Sequence, residues 1–585
     1  MKPSLKAQGF VRTPPCIATL LVHWALRTPT DHVLDAGFGE GIFLLESTKQ
    51  LLALGATAQH LGMQLHGVDS HPEAVQSLQQ TFRTAGLLTA FPGVHTGDFF
   101  ATDFPPVDVL IGNPPYVRRW WQQDVDALQV IAGQVEEARA FSRLTDLACY
   151  FILYGARFLK PGGRLALIVS DSCLDMRYGT AFKEYLLRTF HVRGLLGFQA
   201  QVFPDVLVRP VVILAEKRAA PATTVAGERV AFVSLNGCLP ATLPADPCHL
   251  LTDTQQEVSG RIVPLTALYP AQQWTPLLYA PQVYSELAQH PGLTTLATLA
   301  QVRLGLQSFA KMFYIVPREV QERWGLEARW LLPFMMSPKD VDAPCLSPGT
   351  AIRHYILACA ASKSQLAGTH LLEYICYWEQ QTLNPRGLSR PVIGVQNLPR
   401  VGRTRRTPWY SLMRDLTRRG TAPILLPRRI YQHYQAVWNQ AAWVAGENFI
   451  EVTPQPHVPL LPLLAVLNAG TTEMALRASA HVYGGGVYNL SPGSVGAVPV
   501  VDVRQLSSTT LQRLEKAYRH FLQTGGTKRL ALDTAVLNAL ALPRPLLTTV
   551  QAALAHMQEL SSAVQTPMRV QAGTDRGCPE ECTRR

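Results

Sequence analysis

Apolar and polar positions fall into two alternating rhythms along the first 217 residues. Short apolar runs at Val33-Leu34, Leu65 to Val68, Val107 to Ile111, Arg164 to Ser170, Val192 to Phe198 and Pro210 to Ala215 read as strands. Between them lie longer stretches with the period of a helix, at Pro14 to Leu26, about 42–58, 146–159 and 175–190. Thr13 suits the N-cap of the first helix, with Pro14 at its first position. Lys160-Pro161-Gly162-Gly163 stops the helix that begins at Asp146. Strands alternating with helices and ending in a hairpin predict an α/β fold, a doubly wound Rossmann-like sheet with an antiparallel last strand. Residues 218–226 read as a linker, and Val230 to Leu235 as one more strand of the first domain. From about residue 280 a second, mixed α+β pattern begins, with helical segments near 460–480 and 503–560. The expected domains are therefore 1–245 and 246–562, followed by a disordered tail at 563–585.

Composition narrows this picture. The 585 residues are 47% hydrophobic, as in an ordinary globular protein, and no apolar run is long enough to span a bilayer. Met1-Lys2-Pro3-Ser4-Leu5 carries a charge but no apolar core, so no signal peptide is expected. The ten cysteines are scattered, and the one close pair, Cys578 and Cys582, lacks histidine partners. Neither a zinc site nor a disulfide framework is expected, and a reducing cytoplasm is the expected location. The net charge of +11 is uneven. Residues 1–220 hold 20 Lys and Arg against 19 acids, whereas residues 221–585 hold 33 against 23. Residues 400–429 contribute nine arginines and one acid, Asp415. This points to a polyanion partner for the second half. Arg403, Arg405, Arg406, Arg418, Arg419, Arg428 and Arg429 are its candidate phosphate contacts, with Arg400 beside them, whereas Trp409 and Tyr410 read as core.

The candidate chemistry lies in the loops that follow the strands. Asp35-Ala36-Gly37-Phe38-Gly39-Glu40-Gly41 sits between a strand and a helix, where Gly37 and Gly39 let the backbone approach a ligand. It has neither the Gly-x-Gly-x-x-Gly spacing of dinucleotide folds nor the Lys-Ser/Thr of a triphosphate loop. Asp69, at the tip of the second strand, suits acceptance from two ribose hydroxyls. Asp98 suits an adenine amino group, with Phe99 or Phe100 against the ring, or else a turn cap. Most specific is Asn113-Pro114-Pro115-Tyr116 after an apolar strand. Its prolines stiffen the loop, the Asn113 oxygen and the Pro114 carbonyl accept from a planar –NH2 group, and Tyr116 offers a face for stacking.

Taken in order, Thr13-Pro14-Pro15, the glycine loop, Asp69, Asp98, Asn113-Pro114-Pro115-Tyr116 and the Phe203-Pro204 loop resemble the gamma-class adenine-specific DNA methyltransferases of restriction–modification systems. The resemblance covers residues 8–217. It implies that Thr13, Asp35, Gly37, Gly39, Asp69, Asp98, Phe99 and Pro115 surround S-adenosylmethionine. It implies that Asn113, Pro114 and Tyr116 hold the target adenine, with Phe151 and Phe203 lining its pocket. The implied partner is double-stranded DNA. Val302 to Gln307, Phe313 to Val316 and Asn489 to Val495 resemble parts of target-recognition domains. No Pro-Asp…Glu-x-Lys nuclease cluster occurs, so a restriction endonuclease is expected to be a separate protein or subunit. The alternatives are methylation of RNA or of a protein glutamine, and a methyltransferase-like protein that only binds DNA.

Overall fold

The structure is a computed structural model. It describes residues 11–563 and 569–570, except 88–90, 117–130, 132, 134, 142–144, 200–202, 204–208, 221–226, 236–237, 253–257, 342, 386–389, 405 and 484–485. The chain forms two compact units. One comprises Met1–Gln282, His481–Val487 and Glu559–Arg585, and the other Val283–Ala480 and Tyr488–Gln558.

The first unit is built on a nine-stranded mixed sheet. In chain order its strands are β1 (Val33–Ala36), β2 (Leu65–Asp69), β3 (Val94–Thr96), β4 (Val107–Gly112), β5 (Leu159–Ser170), β6 (Phe190–Phe198), β7 (Pro210–Lys217) and β8 (Arg229–Leu235). The short strand β9 (Cys238–Leu239) lies outside the sheet, and β10 (Val258–Pro264) completes it. The spatial order is β10-β8-β6-β7-β5-β4-β1-β2-β3. Strands β3, β2, β1, β4 and β5 run parallel, and β7 is antiparallel to both β5 and β6. The expected antiparallel strand is present. The sheet continues past it, because β8 pairs in parallel with β6 and β10 pairs antiparallel with β8. The unit consequently reaches Gln282 rather than the expected 245.

Alternation along the central strands fills both faces. Val109 and Ile111 face one apolar layer, whereas Leu110 faces the other, and all three are at most 1% exposed. A two-faced core of this kind is what makes the parallel strands nearly continuous apolar runs. Several helix boundaries differ from the sequence reading. Helix α1 spans Pro15–Ala25 with Pro14 at its N-cap and no side-chain cap, so Thr13 does not cap it. The helix expected at about 42–58 ends at Ala53 (α2, Ile42–Ala53), and a further helix, α3 (Ala58–Gln64), follows it. After β2 comes α4 (Pro72–Thr84), and α5 (Leu147–Gly155) precedes β5. Lys160-Pro161-Gly162-Gly163 lies at the start of β5. Most of the expected tail at 563–585 lies outside the described residues, although Arg569–Val570 pairs in parallel with β9.

The second unit holds two four-stranded sheets. One orders Ala300–Leu304, Phe449–Pro454, Ile424–Pro427 and Val437–Trp438, and the other Ile315–Pro317, His354–Leu357, Leu331–Met335 and Val444–Ala445. Helices Leu460–Leu467, Gly470–Ala478, Ser508–Gln523 and Leu530–Ala539 belong to the same unit, giving the mixed α+β character expected.

Candidate functional site

Sheet order places the site. β1 lies between β2 and β4, with Asp35 in register with Ile111, so the chain exits both strands side by side. β1 leads back toward β2 and β4 onward to β5, which makes the gap beyond them a topological switch point, the place where open α/β sheets bind ligands. The glycine loop and Asn113-Pro114-Pro115-Tyr116 open from these two strand ends.

The glycine loop is pinned from two sides. Gly37 N–H donates to Val68 O at 2.7 Å, and Gly39 N–H to Asp69 Oδ2 at 2.9 Å. Asp69 Oδ1 accepts from His71 N–H at 2.9 Å and lies 3.0 Å from His71 Nδ1. Asp69, the expected ribose acceptor, therefore also holds the loop in place, and its remaining lone pairs are what it can offer a ligand. Gly37 has φ 71°, and a Cβ there would lie 3.7 Å from Phe151 and 3.9 Å from Pro115. The loop backbone, Phe151 and Pro115 thus meet around one spot.

Asp35 is wholly buried, and among the described residues neither carboxyl oxygen has a hydrogen-bond partner. Burial, with the nearby Asp69 charge, pushes its carboxyl well above the usual carboxylate range. Gly112, at φ 151°, lies directly beside it: a Cβ there would fall 2.7 Å from Asp35 Oδ1. An unpartnered buried acid beside a glycine loop is costly unless a ligand donor or cation completes it. S-adenosylmethionine carries both an ammonium and a sulfonium, so this donor set fits it.

Asn113 is held at both ends of its amide. Nδ2 donates to Thr13 Oγ1 at 3.1 Å and, more weakly, to Val11 O at 3.4 Å. Oδ1 accepts from the Tyr116 hydroxyl at 2.6 Å. Burial, followed by Asp146 and Cys173, pushes the Tyr116 phenol well up, so it stays protonated and donates. One Oδ1 lone pair remains for a ligand amine. Sequence reasoning misses this tether. It assigns Thr13 to the cofactor and Tyr116 to stacking, and no local periodicity links a residue before α1 to a loop 100 positions later.

Other expected positions have different surroundings. Asp98 Oδ1 caps the short helix Phe99–Ala101 by accepting from Phe100 N–H at 3.0 Å, the turn-cap use. Phe99 stacks on Phe151 at 4.8 Å and is 4% exposed, so it backs the wall instead of presenting a face. Phe203 is also buried, in the apolar layer on which Tyr116 packs. Pro204 lies outside the described residues, and so does Arg405.

The arginines of 400–429 divide into two sets. Arg400, Arg403, Arg414, Arg418 and Arg429 are exposed. Arg406 pairs with Asp415 at 2.9 Å and lies over the Tyr314 ring. Arg419 pairs with Glu451 at 3.1 Å and donates to Leu304 O. Arg428 donates to Glu447 O at 3.3 Å. Arg406, Arg419 and Arg428 thus each have a partner within the unit, whereas the first set points to solvent. Tyr410 is 1% exposed and Trp409 packs on the same cluster, as core residues do. Among the described residues no group of three or more His, Cys, Asp or Glu is placed to hold a metal, and no helix is long and apolar enough to cross a membrane.

Residues 73–203 match the Eco57I restriction-modification methylase family. That methylase match contains Asp98, the Asn113-Pro114-Pro115-Tyr116 loop and Phe151. The chain is 25% identical over 272 residues to type II methyltransferase M.PaeR7I of Pseudomonas aeruginosa, covering 41% of this chain and 47% of that relative, about half its length. It is 20% identical over 530 residues to type II methyltransferase M.AccI of Acinetobacter calcoaceticus, covering 87% and 88%. The type IIG restriction endonuclease BpuSI aligns over 96% of this chain and 66% of its own, at 13% identity and TM-score 0.41. The first unit thus has a Rossmann-like sheet, and its residues 73–203 are similar in sequence to restriction–modification methylases.

Proposed function

We propose that the protein transfers a methyl group from S-adenosylmethionine to the N6 amino group of an adenine swung out of double-stranded DNA, as the modification enzyme of a restriction–modification or related system. The observation that carries this reading is the Asn113 amide, oriented by Thr13 and Tyr116 beside the Asp35–Gly37 loop. S-adenosylmethionine supplies an electrophilic methyl group on a sulfonium. Asp35, the Gly37 backbone, Asp69 and Pro115 would hold it. Asn113 Oδ1 and the Pro114 carbonyl would accept hydrogen bonds from the two N–H groups of the adenine amine. These hydrogen bonds would favour a pyramidal nitrogen and return its lone pair from the ring, and the proton that the methylated amine must shed would pass to solvent water rather than stay on either oxygen. Positioning and fixed dipoles then supply most of the acceleration. Taking the base out of the helix costs a few kcal/mol, and stacking on Tyr116 returns about 1–3 kcal/mol of it. The exposed arginines of the second unit suit the phosphates.

The test is to incubate purified protein with methyl-labelled S-adenosylmethionine and duplex DNA, then separate the nucleosides. Label in N6-methyldeoxyadenosine is expected. Label in cytosine, or transfer only to RNA or to a protein, would contradict the reading.

A further inference from the structure

In the second unit, residues 429–436 carry exposed side chains on a backbone held by buried groups. Arg429, Tyr431, Gln432 and His433 are exposed, Tyr431 to 57%. Their backbone is nonetheless fixed at successive points. Arg477 Nη1 donates to Tyr431 O and Nη2 to Gln432 O, each at 3.0 Å. Arg529 Nη2 donates to Tyr434 O at 2.9 Å. Asn468 closes both sides of Ala436, accepting from its N–H at 3.0 Å and donating to its carbonyl at 3.1 Å. Upstream, Arg429 and Ile430 pair antiparallel with Asn489 and Tyr488.

Two of the anchors, Arg477 and Asn468, are themselves buried, and Arg529 is part-buried. The Arg477 side chain is fully enclosed, binds Glu473 through Nε at 2.8 Å and Nη2 at 2.7 Å, and lies over the Tyr488 ring at 5.0 Å. Glu473, 1% exposed, also pairs with Arg529. Removing Arg477 and Glu473 from water is expensive, and such buried pairs are rarely the cheapest way to stabilise a fold. Surface loops are ordinarily soft. Here the buried charges act on the carbonyls of one loop, so their specific effect is to fix the directions in which that loop's side chains leave.

Fixed directions matter to a group that must match a rigid partner, because ordering costs are met before binding. The side chains have the chemistry of base edges. Glutamine can donate to and accept from adenine at once, histidine and tyrosine can each donate or accept, and the tyrosine ring can meet a thymine methyl. Arg428-Arg429-Ile430-Tyr431-Gln432-His433-Tyr434-Gln435-Ala436 contains no acid, and exposed arginines of the same unit suit the backbone phosphates. We propose that Tyr431, Gln432 and His433 form a braced finger that reads base edges of duplex DNA and helps to set the recognised sequence. This rests on the DNA methyltransferase reading above.

The test is to map modified bases in DNA from cells expressing the full chain as wild type, Tyr431→Ala, Gln432→Ala or His433→Ala, with S-adenosylmethionine affinity measured on each purified protein. These are exposed positions, so folding is not at stake. At least one variant should relax the recognised sequence at one base position, or modify it about tenfold less efficiently, with cofactor affinity within twofold of wild type. Arg477→Met, which releases the two carbonyls, should give the same relaxation. If all three surface variants modify the wild-type sequence to the wild-type extent, the finger is refuted and the methyltransferase reading stands; the surface would then suit a protein partner. If the wild type modifies no DNA, the reading itself fails and the finger with it.

Discussion

Thr13→Val separates two roles for one hydroxyl. Valine matches threonine in shape and removes the acceptor for Asn113 Nδ2 at 3.1 Å. The amide then keeps only the 3.4 Å bond to Val11 O on that side, while Tyr116 still donates to Oδ1. A neutral hydrogen bond contributes about 0.5–1.5 kcal/mol, and a donor left poorly satisfied costs about 1–3 kcal/mol. An intermediate loss of about 1–2 kcal/mol lowers the rate of methyl transfer roughly 5–30-fold. Because Thr13 acts on the acceptor and not on the methyl donor, S-adenosylmethionine affinity should stay within twofold. Rapid-quench single turnovers with labelled cofactor give the rate, and calorimetry gives the affinity. Tyr116→Phe removes the opposite tether, and the double variant should show coupling, since both bonds act through one amide. A normal rate with affinity weakened about tenfold would refute this reasoning and return Thr13 to the cofactor, as the resemblance implies.

Other consequences follow from charge and burial. Asp35 holds its proton to unusually high pH in the free protein, so binding a cationic cofactor should release that proton. Affinity should then rise with pH until Asp35 is ionised unaided, and calorimetry in buffers of different ionisation enthalpy should show release that Asp35→Asn abolishes. Replacing Arg400, Arg403, Arg418 and Arg429 together by serine should lower the log–log salt slope of DNA binding by roughly 0.9 for each phosphate no longer neutralised. Arg406→Gln should instead lower the melting temperature with little change in slope, because Arg406 pairs with Asp415. His66, stacked on His32 and buried, is held down to about 4. Between pH 6.5 and 4 the unfolded chain takes a proton that the folded one refuses, so stability falls as pH drops through that window. After a discount for partial solvent access the loss at pH 5 should be about 1–2 kcal/mol. Urea midpoints at pH 7 and 5 should show it, and His66→Gln should reduce it.

The first unit was legible because local pattern and tertiary environment agree there. Val107 to Ile111 is an apolar run because β4 is buried on both faces, and Asn113-Pro114-Pro115-Tyr116 is stiff by its own covalent structure. The extension of the sheet by β10 was not legible. Val258–Pro264 is mostly half-exposed at the sheet edge, so it lacks the continuous apolar signature of the central strands. The Thr13–Asn113–Tyr116 chain was hidden for another reason: a hydrogen bond between residues 13 and 113 leaves no mark on either local segment. The internal partners of Arg406 and Arg419, Asp415 and Glu451, were hidden similarly, because the fold brings them close. Charge in a sequence says what a surface can attract, and burial decides which charges reach that surface.

In this reading Asn113 accepts a hydrogen bond from the target amine and does not hold the cofactor. That role is tested most directly by single-turnover methyl transfer from labelled S-adenosylmethionine to duplex DNA, for wild type and Asn113→Ala, with cofactor affinity measured on the same samples. The expected result is N6-methyladenine from the wild type, a rate about 100-fold or more lower in the variant, as when one preorganised transition-state hydrogen bond is removed, and equal cofactor affinities. An equal rate of N6-adenine methylation by Asn113→Ala would contradict it.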